Sequence, residues 1–232
     1  MEITIRAFRA TDEPDTCRSY IEGHQKVLEA YGVTKVTSAR YGWINDPHTY
    51  VIIVESPDGQ RTYGGGRIQV RSETIPMPLE GAIAVLDKRI YPYVDNLGNY
   101  KVAEFCGLWN LKEIAGYGIG SIYLGLIGVA ITTQIPELDY LMALCSPATL
   151  RNCLKVGFEI IRELGNNGTL YYPKEDLVAT PLIIKDIANL PSATGAEREA
   201  IWNLRDNPRQ QKTESGPKGT MNINFDITLT HP

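Results

Sequence analysis

Apolar and charged positions alternate from Ile3 to Arg9, the pattern of a strand with one buried face. Thr11 and Asp12 can cap the helix that follows, with Pro14 in its first turn. On that helix Cys17, Tyr20, Ile21, His24, Val27, Leu28 and Tyr31 recur at helical spacing until Gly32 ends it. Tyr50–Glu55 and Arg61–Val70 read as two strands joined by the turn Ser56-Pro57-Asp58-Gly59. Gly64-Gly65-Gly66 inside the second strand predicts a bulge or a close backbone approach. Pro76 and Pro78 break the chain, Leu79–Tyr91 reads as a helix, and a turn from Asp95 to Gly98 leads into a strand over Lys101–Asn110. Ile114 to Ile131 carries no charge; its glycines (Gly116, Gly118, Gly120, Gly125, Gly128) and its flanks Glu113 and Glu137 favour a buried helix over a membrane span. Leu138–Cys145 and Phe158–Glu163 read as strands around a short helix at Pro147–Val156, and Asp176–Ile184 as a further strand. In the tail, Ala196–Leu204 predicts a short helix, Asn207–Gly219 a polar loop, and Asn222–Leu229 an alternating strand.

A chain of 232 residues, 43% hydrophobic and 22% charged, has the composition of one medium domain, or one domain with an appendage. Its 23 basic and 27 acidic residues leave a net charge of −4, which gives no footprint for nucleic acid or an anionic membrane. Cys17, Cys106, Cys145 and Cys153 form no C-x-x-C pair; reduced, buried thiols are expected, with no metal site. The opening MEITIRAFRATDEPD has no apolar core of a signal peptide, so the expected location is cytoplasmic.

The richest stretch is VAEFCGLWNLKEIAGYGIGSIYL, Val102 to Leu124. It runs from a strand through a glycine cluster into an apolar helix, a way of building an anion site. Glycines let the backbone approach a ligand, and the first N–H groups of a helix have no internal partner. A nucleotide P-loop would need Gly-Lys-Ser/Thr, and here Ser121 and Ile122 follow Gly120. A dinucleotide fingerprint would need Gly-x-Gly-x-x-Gly, and here the spacing is Gly-x-Gly-x-Gly.

The stretch Glu113-Ile-Ala-Gly116-Tyr-Gly118-Ile119-Gly120-Ser121 resembles the Gln/Arg-x-x-Gly-x-Gly/Ala turn of the GNAT superfamily of N-acyltransferases. Ile3-Thr-Ile-Arg6 before a helix is similar to the start of that family, and Lys155-Val-Gly157-Phe158 to its Lys-x-Gly-Phe. The resemblance spans Ile3 to Ile184. It implies an α/β (α+β) GNAT fold: a central mixed, mostly antiparallel twisted sheet flanked by helices. Residues 1–184 would form the acyltransferase domain with an insertion at 73–100, and 185–232 a C-terminal extension with a short helix and a terminal strand.

The resemblance also implies a function. An acyl group, acetyl first, would pass from acetyl-CoA or another acyl-CoA to a primary amine of a small molecule or peptide, by direct attack on the thioester. The pyrophosphate of CoA would bind at Ala115, Gly116, Tyr117, Gly118, Ile119, Gly120 and Ser121. A backbone N–H at Asn110 or Leu111 would hold the oxyanion. Glu104 corresponds to the general-base glutamate of the family; apolar neighbours would raise its pKa, while a place on the solvent face of the strand stays equally open. Glu113 and Ala115 stand where the family has side-chain donors, so the turn would depend on backbone N–H groups, with Lys112 to compensate. Cys153 stands at the place of a frequent tyrosine general acid and is expected to be structural, with a high pKa; the general acid stays unassigned.

A narrower resemblance competes. Gly64-Gly-Gly-Arg67-Ile68 with Ile75-Pro76-Met-Pro78-Leu79 looks like stretches of acyl-homoserine-lactone and N-acyl amino acid synthases, which take long acyl chains, commonly from acyl carrier protein. On that reading the insertion Glu73–Tyr100 is a lid or acyl-chain wall, with Leu79, Ile83 and Tyr91 as selectivity positions. A non-catalytic acyl-CoA-binding protein is the third alternative, and a homodimer is left open.

Overall fold

Residues 1–33 and 41–229 are described in the computed structural model of the chain. Strand β1 (Glu2–Arg9) leads through a single 3-10 turn into helix α1 (Pro14–Ala30), which buries Cys17, Tyr20, Ile21 and His24 on one face. Strands β2 (Thr49–Glu55) and β3 (Thr62–Val70) form the expected hairpin. All seven residues of β2 are buried, so it lies at the centre of the sheet. Val51 and Ile53 face α1, while Ile52 and Val54 face the opposite core, as the two-residue repeat of a strand requires. The three glycines of β3 are explained by close approach: a Cβ on Gly65 would meet the Ile52 carbonyl oxygen at 2.3 Å, and one on Gly66 the Phe105 ring at 2.8 Å.

The insertion forms two short helices, α2 (Pro78–Ala84) and α3 (Ile90–Asp95), where one helix over Leu79–Tyr91 was expected. The interruption is built around Asp87, whose carboxylate accepts the N–H groups of Arg89 and Gly165 and turns the chain. Strand β4 (Val102–Asn110) follows, then the glycine turn and helix α4 (Ser121–Ile131). Leu124, Ile127, Val129, Ala130 and Ile131 are all buried, so α4 is enclosed, and Gly128 lets it lie directly on the Phe105 ring. Strand β5 (Tyr140–Cys145), helix α5 (Pro147–Lys155) and the short strands β6 (Glu159–Ile160) and β7 (Leu170–Tyr171) lead to β8 (Val178–Ile184).

The tail is built into the same sheet. After helix α6 (Gly195–Asp206), the stretch expected to be a polar loop is strand β9 (Arg209–Gly216), paired along its length with β10 (Gly219–Asp226). Its polar residues conceal it in sequence, because an edge strand buries little side chain. Strand β10 runs parallel to β1, and its Met221, Ile223 and Phe225 enter the main core. The strand order is β6-β8-β5-β4-β3-β2-β1-β10-β9, with β7 beside β8. Every pairing is antiparallel except β4–β5 and β1–β10. Helices α4 and α6 cover one face, and α1 with the insertion covers the other.

Candidate active site

Two parallel strands stay together only while their ladders match. Strand β4 pairs with β5 through Val102, Ala103 and Glu104 alone. Further along, the register between β3 and β4 slips at Gly65–Arg67, and Gly107 sits at φ 63°, in the left-handed region that suits glycine. The bulge carries β4 away from β5. A cavity of about 390 Å³ opens there, bounded by Phe105 to Leu108 of β4, Leu144 and Cys145 of β5, Ile122 and Gly125 of α4, and Cys153 and Val156 of α5. Leu79 of the insertion and His24 of α1 complete its wall beside Glu104. The lining is chiefly apolar, and the volume lies in the range of about 300–1,000 Å³ usual for small-molecule pockets.

Glu104 is therefore no solvent-facing strand residue: it is 3% exposed. Its Oε2 accepts the Leu79 N–H at 2.6 Å. Burial pushes its carboxyl up to about 7, against the pull of the Leu79 hydrogen bond and of the Arg67 charge, while Glu80 adds to the rise. Arg67, 1% exposed, lies with its guanidinium 4.5 Å from the Trp43 ring centre and hydrogen-bonds the Cys106 thiol. Burial near that cation pulls His24 down to about 4, so it is a neutral wall residue at pH 7.

The cysteines divide by environment. Burial raises the thiols of Cys17 and Cys106 to about 12. Cys153 behaves differently from the expectation of a raised thiol. It is half-buried on the cavity wall and held below its ordinary value by a hydrogen bond with Cys145, whose own thiol is driven up. No group of three or more metal-ligating side chains occurs among the described residues.

The glycine turn lies outside this cavity. Gly116 and Gly118 have φ values of 92° and 91°, and the tip of the β9–β10 hairpin packs on both. The Lys218 N–H donates to the Gly116 carbonyl at 2.9 Å. A Cβ on Gly118 would meet the Ser215 carbonyl oxygen at 3.1 Å, and one on Gly216 the Gly118 nitrogen at 2.6 Å. These glycines thus serve a backbone joint between the turn and the hairpin. Gly118 and Gly120 are both exposed, but Gly120 has an extended backbone, and a Cβ there would meet nothing within 4 Å. Ala115 is exposed, Tyr117 half-buried and Ile119 buried, while Ser121 begins α4. Glu113 pairs with Arg61, away from the turn, and the Lys218 Nζ reaches the Lys112 carbonyl at 3.4 Å.

Asn110 and Leu111 are not brought to Glu104. Asn110 pairs with Gly64 in the ladder, and the Leu111 N–H is taken by the Tyr63 carbonyl at 2.7 Å. The irregular backbone that does face the cavity is earlier, at Gly107 and Leu108. Sequence reasoning missed the Leu79 N–H as a partner of Glu104, although Pro78 signals a helix start at which that N–H would be unpaired. It also missed the hairpin over the glycine turn, for which the polar tail offered no signal.

No protein-family model and no curated protein matches the chain. Among solved structures it is similar to FeeM, an N-acyl amino acid synthase from uncultured soil microbes, at 17% identity and a TM-score of 0.59, over 85% of this chain and 97% of that one. It is similar to the AHL synthase LasI at 13% identity and a TM-score of 0.55, over 87% and 95% of the two chains. BjaI, a CoA-dependent acyl-homoserine lactone synthase solved with SAM and isopentyl-CoA, matches at 11% identity and a TM-score of 0.53, over 99% and 94%. The likeness is one of fold: the chain has the GNAT fold, as the sequence resemblance implied.

Proposed function

We propose that this chain is an N-acyltransferase whose donor is a thioester carrying an acyl chain longer than acetyl, and whose acceptor is the primary amine of a small molecule. One observation carries the reading: a buried carboxyl, poised at about 7, opens onto an apolar cavity of about 390 Å³ between two parting strands. A base of that pKa is half-ionised at neutral pH and matched to taking a proton from an amine. The cavity is larger than a two-carbon acyl group needs, which favours the longer-chain alternative over acetyl-CoA. Neighbours of the same fold include an N-acyl amino acid synthase and acyl-homoserine lactone synthases, in agreement with that choice.

In this reading Glu104 takes the amine proton, directly or through a water, as the amine attacks the thioester carbonyl. The tetrahedral adduct then collapses with cleavage of the C–S bond, and the departing thiolate takes a proton from the protonated Glu104 or from water and leaves as the thiol. The bulge at Gly107–Leu108, rather than Asn110 or Leu111, offers backbone N–H to the oxyanion. The phosphate end of the donor would lie against Gly120, where a Cβ would meet nothing within 4 Å, and the first turn of α4, with Lys218, packed on Gly116, as the cation of the turn. The hairpin packs closely on Gly116 and Gly118, although Gly118 stays exposed, so part of the turn meets protein backbone where its spacing implied a diphosphate. That favours a second reading of the donor, a phosphopantetheine arm on acyl carrier protein with its single phosphate.

The test is thiol release from acetyl-, butyryl-, octanoyl- and palmitoyl-CoA, and from the matching acyl carrier proteins, against a panel of amines that includes amino acids. Turnover of the eight- or sixteen-carbon donors at least tenfold faster than acetyl is expected. Preference for acetyl would remove the chain-length assignment, and no amine-dependent thiol release from any donor would remove the enzyme.

A further inference from the structure

Resting on this acyltransferase reading, we propose that Leu79 is both a wall of the acyl pocket and the positioning residue of the base: its side chain bounds the space for the acyl chain, and its backbone N–H holds Glu104. Chain-length selection and base strength would then be set at one residue.

Of the three insertion positions singled out from the sequence, only Leu79 lines the cavity. Leu79 and Ile83 are both buried in the core between the insertion and the sheet, Leu79 at the edge of that core that meets the cavity, and Tyr91 is exposed. Leu79 is the second residue of α2, after Pro78, where a backbone N–H has no partner within the helix. That N–H is spent on Glu104 Oε2 at 2.6 Å, inside the protein. The segment that presents it is pinned on both sides. Gln69 donates to the Pro76 carbonyl at 3.0 Å, the Met77 N–H to Glu80 at 2.8 Å, and Arg71 to the same Glu80 carboxylate at 3.2 Å.

The groups facing Glu104 are few. Arg67 approaches from β3 and favours the carboxylate; Glu80 on α2 opposes it; the Cys106 thiol lies two residues along β4. Gln69 on β3 and Met142 on β5 are its neutral partners across the sheet. Against that desolvation, the Leu79 hydrogen bond does more than the Arg67 charge to keep the carboxyl from rising further. An acyl chain that presses on the Leu79 side chain presses on the element that carries this bond. A misfitting donor should therefore be slow for two reasons: poor contact, and a base that ionises at higher pH.

Two substitutions separate the roles. Leu79→Ala keeps the N–H and removes wall; a backbone ester at position 79, made with the hydroxy acid analogue of leucine, keeps the wall and removes the N–H. For Leu79→Ala we expect the kcat/KM ratio of palmitoyl to octanoyl donor to change at least tenfold, with the midpoint of the pH–rate profile unmoved near 7. For the ester we expect an unchanged ratio and a midpoint raised by about one pH unit, as loss of a hydrogen bond to a charged group implies. Carbon NMR of the Glu104 carboxyl, labelled and assigned through Glu104→Gln, follows its titration without turnover. An ester that leaves this titration unmoved, or a Leu79→Ala protein with an unchanged donor ratio, overturns the dual role and leaves the acyltransferase reading standing. A wild-type protein that turns over no thioester sinks the acyltransferase reading itself.

Discussion

Replacing Glu104 by glutamine removes a charge that the folded protein must bury while keeping the oxygen that accepts the Leu79 N–H. The folded carboxyl titrates at about 7, against an ordinary value of 4.5. A carboxyl that binds its proton more tightly when folded contributes stability that is complete below pH 4.5 and is lost as pH rises through 7. At about 1.4 kcal/mol for each pH unit, the ionised residue costs about 3 kcal/mol of folding free energy by pH 8. Glutamine does not titrate and escapes that cost. The variant should therefore match the wild type in stability near pH 4.5 and exceed it by about 3 kcal/mol at pH 8, or roughly 6–12 °C in Tm for a chain of this size. Turnover at neutral pH should fall by about 10²–10⁴, the loss expected when a general base is removed. Thermal unfolding of both proteins at pH 5 and pH 8, beside thiol release at pH 7.5, reads both effects. A Tm difference that does not widen with pH would refute the buried, raised carboxyl, and unimpaired turnover would refute its role as base.

Gly118→Val should lose stability, since the residue sits at φ 91° against the hairpin, whereas Gly120→Val should keep the Tm and weaken CoA-induced thermal stabilisation. If Gly120→Val is stabilised as fully as the wild type, phosphate does not bind there. Arg71→Met strands the Glu80 carboxylate, only 2% exposed, and should cost about 3 kcal/mol in urea unfolding; a loss below 1 kcal/mol would show that the insertion is held by its apolar core alone. Cys153 should be alkylated before Cys17, Cys106 and Cys145, and a long-chain thioether analogue of the donor should protect it, both read by mass spectrometry. First labelling of another thiol would contradict the half-buried, lowered thiol of Cys153.

The sheet was legible where burial writes a pattern. Strands β1 to β5 and helix α1 announce themselves because each has one or two faces against a core, and α4 because it is enclosed on all sides. Strand β9 was illegible for the same reason: at the sheet edge its side chains meet water, and its existence depends on the ladder offered by β10. In the site, Glu104 could be placed on its strand, but its burial depends on α2, which only the fold lays over it. The glycine turn was found correctly as a place of close backbone approach. What approaches Gly116 and Gly118 is a hairpin about a hundred residues further along the chain, and local spacing carries no trace of it.

The measurement that bears most directly on the cavity between β4 and β5 is a crystal structure of the protein with a palmitoyl thioether analogue of the acyl donor. The alkyl chain should run between the parting strands past Leu79, Leu144 and Cys153, with the thioether sulfur beside Glu104 and the bulge at Gly107–Leu108. A chain lying on the surface, or in the polar groove that Ser19, Glu22 and Lys26 of α1 form with Gln60 and Arg61 of the β2–β3 turn, with the β4–β5 cavity empty, would contradict the account.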